Sequence, residues 1–376
     1  MKKYRFLDLK YVNENLEEKL KEAACDVISS GRYILGENVS LLEKDIAEIC
    51  QSRFAIAVSN GLDALRLILR AYIEMGEFKE GDEVIVPANT YVATVLAITD
   101  NNLIPVLAEP SAETMNLDLS NIEQYITKRT RAIMPVHLYG TTCWGETLVK
   151  SAESYNLKII EDNAQAIGAR SPIPGIFNTN ATGGLGHAGA LSFYPTKNLG
   201  ALGDAGAVVT GDEKLAETIC ALRNYGSDYR YHNIYHGLNC RMDEIQAAIL
   251  RVKIPYLEKE NIRRNKLARI YEEHIINPLI RKPLISQHQG SQVWHQYVIR
   301  TANRDLFREY MSVNGVETDV LYPVPPHHQP CYNIYKNKEL PVTQSICNEV
   351  VCLPISSLTS ENDAVEISEI INRFKY

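Results

Sequence analysis

Seven short apolar runs, spaced by stretches of helical character, limit the possible folds of this chain more than any other feature. They fall at residues 54–58, 83–87, 105–109, 132–137, 159–162, 188–193 and 206–210 and are rich in Val, Ile, Leu and Ala. Each is too short for a helix and reads as a buried strand. Strands alternating with helices at this rhythm specify an α/β chain with a mostly parallel sheet covered on both faces. Ligands of such sheets collect at the carboxyl ends of the strands. Helical spacing marks 13–30, closing at Ser30-Gly31, then 39–50, a helix from about Leu62, and one opened by residues 88–94. Residues 243–274 read as one long helix whose charged middle (Glu258, Lys259, Glu260, Arg263, Arg264, Lys266) makes it a solvated connector to a smaller unit. Beyond it, 294–300 alternates like a half-buried strand, and the prolines of 322–330 require a rigid loop. The expected division is a large unit, 1–250, and a small C-terminal α/β unit, 251–376.

The sixth run leads into Tyr194-Pro195-Thr196-Lys197, then into Asn198-Leu199-Gly200-Ala201-Leu202-Gly203-Asp204-Ala205-Gly206. A lysine between an apolar run and a small-residue segment is in an unusual place for a solvated side chain, because such glycines let backbone approach a ligand closely. The fifth run ends in Glu161-Asp162, followed by Asn163-Ala164-Gln165. A carboxylate ending a buried strand is costly to desolvate unless a cation or a hydrogen-bonded task holds it there. Pyridoxal phosphate uses both groups: its aldehyde joins a lysine amine, and its ring nitrogen needs an acidic partner for the ring to accept electrons. Lys197 supplies the first and Asp162 the second. The strand at 54–58, the turn Ser59-Asn60-Gly61 and the following helix form an anion site of unpaired N–H groups and helix dipole. The phosphate is assigned to Gly61 and Leu62, with Ser192, five residues before Lys197, placed to donate to it. Alone, that turn would be an ordinary strand-to-helix connection. Gln165 is expected to hydrogen-bond the cofactor's phenolic oxygen, and His137, at a strand end, either lines the pocket or is a hydrogen-bonded structural residue.

Three ordered segments carry a family resemblance: Glu161-Asp162-Asn163-Ala164-Gln165, the stretch from Ser192 to Lys197, and Gly237-Leu238-Asn239-Cys240-Arg241-Met242-Asp243-Glu244-Ile245-Gln246-Ala247-Ala248. From about Gly31 to its end the chain resembles the DegT/DnrJ/StrS-type nucleotide-sugar aminotransferases. The resemblance implies fold type I of the pyridoxal-phosphate enzymes, aspartate aminotransferase-like, with a mostly parallel seven-stranded sheet in the large domain. It implies that Tyr91 stacks on the cofactor ring, that the segment at Tyr33 lies near the site and the subunit interface, and that the proline loop covers the site with His327. Tyr33, His137, Tyr194 and His327 are then the candidate substrate contacts. It further implies a two-fold homodimer in which Asn239 reaches the phosphate of the facing subunit.

The activity implied is transfer of an amino group from L-glutamate to carbon 3 of a dTDP-linked 3-keto-6-deoxyhexose, giving a dTDP-3-amino-3,6-dideoxyhexose, galacto favoured over gluco. The segments Asn60-Gly61-Leu62-Asp63-Ala64-Leu65 and Pro87-Ala88-Asn89-Thr90-Tyr91-Val92-Ala93-Thr94 carry this finer likeness. The rivals are amination at carbon 4 of a UDP- or GDP-linked sugar, synthesis of an aminated ring acid, and a non-catalytic regulator that retains the cofactor. Sugar dehydrases of this family replace the lysine with histidine, and Lys197 argues against that reading. The product would enter a surface polysaccharide such as an O-antigen, an S-layer glycan or a glycosylated metabolite.

Bulk properties exclude other classes. With 39 basic and 46 acidic residues the formal charge is −7, without a basic block, which argues against a nucleic-acid partner. The eight cysteines show no C-x-x-C pair and no zinc spacing, so they read as reduced structural residues and no metal is expected. Asp8 and Lys10 break the N-terminal stretch before it reaches signal-peptide length, and no apolar run is long enough to span a membrane. The expectation is a cytoplasmic protein.

Overall fold

The computed structural model describes residues 3–375, so the Met1-Lys2 start of the stretch read for a signal peptide lies outside them. Seven strands form the main sheet: β1 (Phe54–Val58), β2 (Glu83–Pro87), β3 (Ile104–Ala108), β4 (Thr130–Ile133), β5 (Lys158–Asp162), β6 (Ala188–Ser192) and β7 (Gly206–Thr210), in the order β1-β7-β6-β5-β4-β2-β3. β7 pairs antiparallel with both β1 and β6, and the other pairings are parallel. Its neighbours fix the placement of the reactive segments: β5 and β6 lie side by side, with Asp162 opposite Ala190.

Both faces of the sheet are covered, which is why the strands read as unbroken apolar runs. Val84, Val86, Ile160, Ala190 and Val208 join one core with α4 (Gly61–Glu74), α5 (Val92–Thr99) and α7 (Glu213–Leu222). The alternate residues face the other way. Ile85, Ile133 and Ile159 pack with α6 (Glu146–Ser154), and Ala57, Leu191 and Val209 pack with α3 (Glu37–Ile49). The helix expected over 13–30 is two, α1 (Leu9–Glu14) and α2 (Glu17–Ser30), because Asn13 Nδ2 turns back onto the Leu9 carbonyl at 2.8 Å and α1 stops. α2 ends at Gly31 with φ 66°, a left-handed stop that glycine adopts freely.

After a small hairpin, β8 (Ser227–Tyr229) and β9 (His232–Asn233), the chain enters α8 (Glu244–His274). α8 links the two cores as expected, and Glu258, Lys259, Arg263 and Lys266 are exposed, but the helix is not solvated all round. It buries Leu257, Asn261, Arg264, Leu267 and Tyr271, and one of the charges counted as solvated, Arg264, donates to the carbonyls of Trp294 and Ile355 instead. Its second half joins a separate apolar core with β10 (Tyr297–Arg300), α9 (Arg304–Val313), β11 (Val350–Leu353) and α11 (Glu361–Asn372), while α10 (Pro341–Glu349) leads into β11. All four residues of β10 are buried, so the half-buried strand expected at 294–300 is covered on both faces. Residues near the start of the chain join this C-terminal layer, through Tyr4 N to the Gly315 carbonyl at 2.8 Å and Glu317 N to the Tyr4 carbonyl at 2.9 Å.

Among the described residues no helix is long and apolar enough to cross a membrane, and no group of three His, Cys, Asp or Glu could hold a metal ion. The cysteines are unpaired; Cys25, Cys220 and Cys331 lie at the surface, contrary to a purely structural reading.

Candidate active site

Strand alternation separates the two acids that end β5. Glu161 points into the interior, where its carboxylate accepts from Gly183 N at 2.8 Å, Gly186 N at 2.7 Å and His137 Nε2 at 2.7 Å. His137 Nδ1 accepts from Cys143 N at 2.9 Å, which leaves Nε2 to carry the proton toward Glu161. With both ring nitrogens engaged and no exposed surface, His137 does not line the pocket. It is a structural histidine.

Asp162 points the other way. Thr94 Oγ1 donates to its Oδ2 at 2.8 Å, Ala164 N donates to Oδ1 at 3.2 Å, and Thr90 and Thr94 share a hydroxyl contact at 2.7 Å. Burial raises the Asp162 pKa above the ordinary value, while these donors and the charge of Lys197 oppose the rise. Lys197 sits in a turn closed by its own N–H on the Tyr194 carbonyl at 2.9 Å. Burial pushes its amine down to about 8, against the attraction of Asp162. The two side chains thus sense each other's charge, and each is held nearer neutrality than it would be in water.

The turn after β1 meets the end of β6. A Cβ placed on Gly61 would lie 2.7 Å from Ser192 Cβ and 3.3 Å from Ser192 Oγ, so only glycine lets the start of α4 come this close to the serine hydroxyl. Asn60 caps α4, accepting from Asp63 N at 2.8 Å. The N–H groups of Gly61 and Leu62 open the first turn, where helix N–H groups have no intrahelical partner. Gln165 is pinned at both ends of its amide: Oε1 accepts from Tyr139 N at 2.6 Å, and Nε2 donates to Tyr322 Oη at 2.8 Å. The Tyr322 ring lies 5.1 Å from that of Tyr91, which remains about half exposed.

Lys197, Asp162, Gln165, Tyr91, Ser192, Gly61 and Leu62 therefore lie at the carboxyl ends of β1, β2, β5 and β6 and in the segments that follow them. Among the described residues the remaining candidates make no side-chain hydrogen bond or ring contact with them, although Tyr194 N donates to Ser192 Oγ at 3.4 Å. Tyr33 is exposed with its hydroxyl on the Ile28 carbonyl at 3.3 Å, and Tyr194 and Asn239 are exposed as well. His327 is fully buried beside His328, ring centroids 4.1 Å apart, with neither ring nitrogen hydrogen-bonded. The residue the proline loop sends to Gln165 is Tyr322, not His327. Two partners went unread in the sequence, Thr94 and Tyr322. Both lie in segments quoted for other reasons, and neither a lone threonine on a helix nor one tyrosine among 21 carries a signal of its own.

A group that fits this set must offer a carbonyl carbon to an amine near neutrality, a basic ring nitrogen to a buried carboxylate, an aromatic face to Tyr91, and an anion to the start of α4. Pyridoxal phosphate meets all four demands. The model of the DegT/DnrJ/EryC1/StrS aminotransferase family matches residues 14–372.

The chain belongs to this family.

Along its whole length this aminotransferase is similar to the dTDP-3-amino-3,6-dideoxy-alpha-D-galactopyranose transaminase of Aneurinibacillus thermoaerophilus, at 46% identity over 99% of both chains. Its fold matches that of Streptomyces venezuelae DesV, solved in complex with a ketimine intermediate, with a TM-score of 0.93 and 39% identity, covering 99% of this chain and 98% of that one. It also matches Bacillus subtilis NtdA, solved with bound cofactor PMP, with a TM-score of 0.88 and 30% identity over 99% of this chain and 86% of that one.

Proposed function

We propose that this aminotransferase moves an amino group from L-glutamate to carbon 3 of a dTDP-linked 3-keto-6-deoxyhexose, the galacto epimer favoured, with pyridoxal phosphate as cofactor. The observation that carries the reading is the Lys197–Asp162 pair, held across β5 and β6 beside the Gly61–Ser192 cradle. The identity of 46% to a transaminase named for the galacto product favours that sugar.

When bound, pyridoxal phosphate supplies an aldehyde that takes up an amino group and a ring that holds the electron pair left when a carbon proton departs. The chain's own groups do the rest. Lys197 Nζ is the amine that would hold the aldehyde at rest and the base that would carry a proton between the donor carbon and the cofactor carbon. Asp162 would keep the ring nitrogen protonated, Tyr91 would offer its ring to the cofactor ring, and Gln165 would donate an amide N–H to the phenolic oxygen. Ser192 Oγ with the Gly61 and Leu62 N–H groups binds the phosphate, and Asn239 of the facing subunit completes that shell in a cytoplasmic homodimer. Of the candidate substrate contacts, Tyr33 and Tyr194 are exposed and free to meet a sugar nucleotide, whereas the buried His327 is not. Residues 1–250 would be the cofactor-holding unit and 251–376 the small unit, which sends Tyr322 to Gln165. The amino sugar made there serves an O-antigen, an S-layer glycan or a glycosylated metabolite.

The test is the visible absorbance of the purified protein before and after excess L-glutamate, followed by dTDP-, UDP- and GDP-linked keto sugars. Bleaching by glutamate and recovery with the dTDP-linked 3-keto sugar is the expected result. Recovery only with a 4-keto UDP- or GDP-sugar would move the reaction to carbon 4. A bound cofactor that glutamate leaves unchanged would make the protein a binder without turnover.

A further inference from the structure

Gln165 is flanked by two tyrosines with left-handed backbone, a conformation bulky side chains seldom adopt and which clusters at functional sites. Tyr139 has φ 59° and Tyr322 has φ 60°. They come from distant segments and divide the Gln165 amide between them, its oxygen accepting from Tyr139 N–H at 2.6 Å and its nitrogen donating to the Tyr322 hydroxyl oxygen at 2.8 Å. The oxygen is therefore committed and the amide orientation fixed. One N–H goes to Tyr322, and the second is left for an acceptor in the site.

Tyr322 is held independently of Gln165. The loop that carries it is tied to β11 by Cys352 N on the Asp319 carbonyl at 2.8 Å and the reciprocal bond at 3.3 Å. Its ring lies 5.1 Å from that of Tyr91 with the planes tilted by 32°. Burial, with the nearby charge of Asp162, pushes its hydroxyl's titration far up, so it stays protonated as both acceptor and donor. A single side chain from the C-terminal layer thus touches the residue assigned to the phenolic oxygen and the residue assigned to the ring face.

We infer that Tyr322 is a positioning residue for the cofactor pocket, aiming the Gln165 amide and steadying the Tyr91 ring. The inference rests on the reading of the site as one for pyridoxal phosphate. Tyr322→Phe removes the acceptor of Gln165 Nε2 and keeps the ring. The experiment is titration of the apo-protein with pyridoxal phosphate, read by fluorescence quenching and by the position of the visible band, for wild type, Tyr322→Phe, Gln165→Leu and the double variant, with melting curves alongside. Loss of one hydrogen bond should weaken cofactor binding by about three- to tenfold and displace the visible band of the Phe variant at unchanged melting temperature. Because Tyr322's hydroxyl acts through Gln165, the double variant should bind no more weakly than Gln165→Leu alone. A Phe variant that binds and absorbs as wild type does, or a double variant in which the two losses add, overturns the inference while leaving the cofactor reading in place. Wild-type protein that takes up no pyridoxal phosphate overturns both.

Discussion

Lys197 is where the physics of one residue decides the chemistry. An unperturbed lysine, with pKa near 10.4, has about one neutral amine in several thousand at pH 7, whereas one held at about 8 has roughly one in ten. Cofactor uptake by the apo-protein should therefore quicken as pH rises and level off above about 8. Stopped-flow absorbance across pH 6 to 10 checks this, and a rise that continues to pH 10 would show that burial does not depress the amine. The same shift has a consequence for stability. Because the folded pKa lies below the unfolded one, the unfolded chain binds more protons between the two values. On this group's account the apo-protein gains stability as pH climbs from about 8 toward the ordinary lysine value of 10.5. Lys197→Ala should lose the visible band and turnover and flatten that rise. Lys197 and Asp162 were legible in the sequence because a charge abutting an apolar run contradicts its surroundings. His137 was not, since its strand-end position fits a pocket residue and a structural one equally. Its partner Glu161 lies on the opposite face of β5 from Asp162, and only the paired sheet tells which acid faces which layer.

At the scale of elements, the apolar runs placed all seven strands to within a few residues, because burial on both faces leaves an unambiguous pattern. The reversal of β7 was not legible, as an apolar run carries no direction. Nor was the partner that organises the entry segment. Glu244, in the first turn of α8, accepts from Gly36 N at 2.7 Å, Asn38 N at 2.9 Å and Val39 N at 2.9 Å, so one buried carboxylate caps α3 from 205 or more residues away in sequence. The sequence shows Glu244 only as part of a family motif. Glu244→Ala would leave three N–H groups without that acceptor, and a loss of about 2–4 kcal/mol is expected. The fall in melting temperature should be accompanied by faster proteolysis near residues 31–38. A variant that melts and resists protease as wild type does would mean that water or another acceptor replaces the carboxylate without cost.

At the scale of the whole molecule, two groups of large apolar side chains are left exposed on segments that lead into or meet the start of α8. Tyr225, Tyr229, Tyr231 and Ile234 stand out on and beside the β8–β9 hairpin, Tyr231 being 87% exposed. Leu202 and the pair Ile34 and Leu35 are exposed too, and they converge on the start of α8, through Leu202 N on Gln246 Oε1 at 3.0 Å and the bridge between Ile34 and Asp243. Isolated exposed apolar side chains need no explanation, but several on neighbouring segments are what a two-fold contact of the expected homodimer would cover. Asn239 lies among them, exposed, just before α8. In the two-fold assembly that the family resemblance implies, a patch of this kind would meet itself, and Asn239 would reach the other copy's phosphate site. Sedimentation should give twice the chain mass of 42.3 kDa. A sharper test mixes Lys197→Ala with Asn239→Ala at a cofactor concentration too low to load the Asn239 variant alone, and exchanges their subunits. If each site draws Lys197 from one copy and Asn239 from the other, every hybrid carries one doubly altered site and one intact site, and about a quarter of wild-type activity returns in an equal mixture. If both residues of a site came from the same copy, no hybrid site would be intact and activity would stay at the level of the parents.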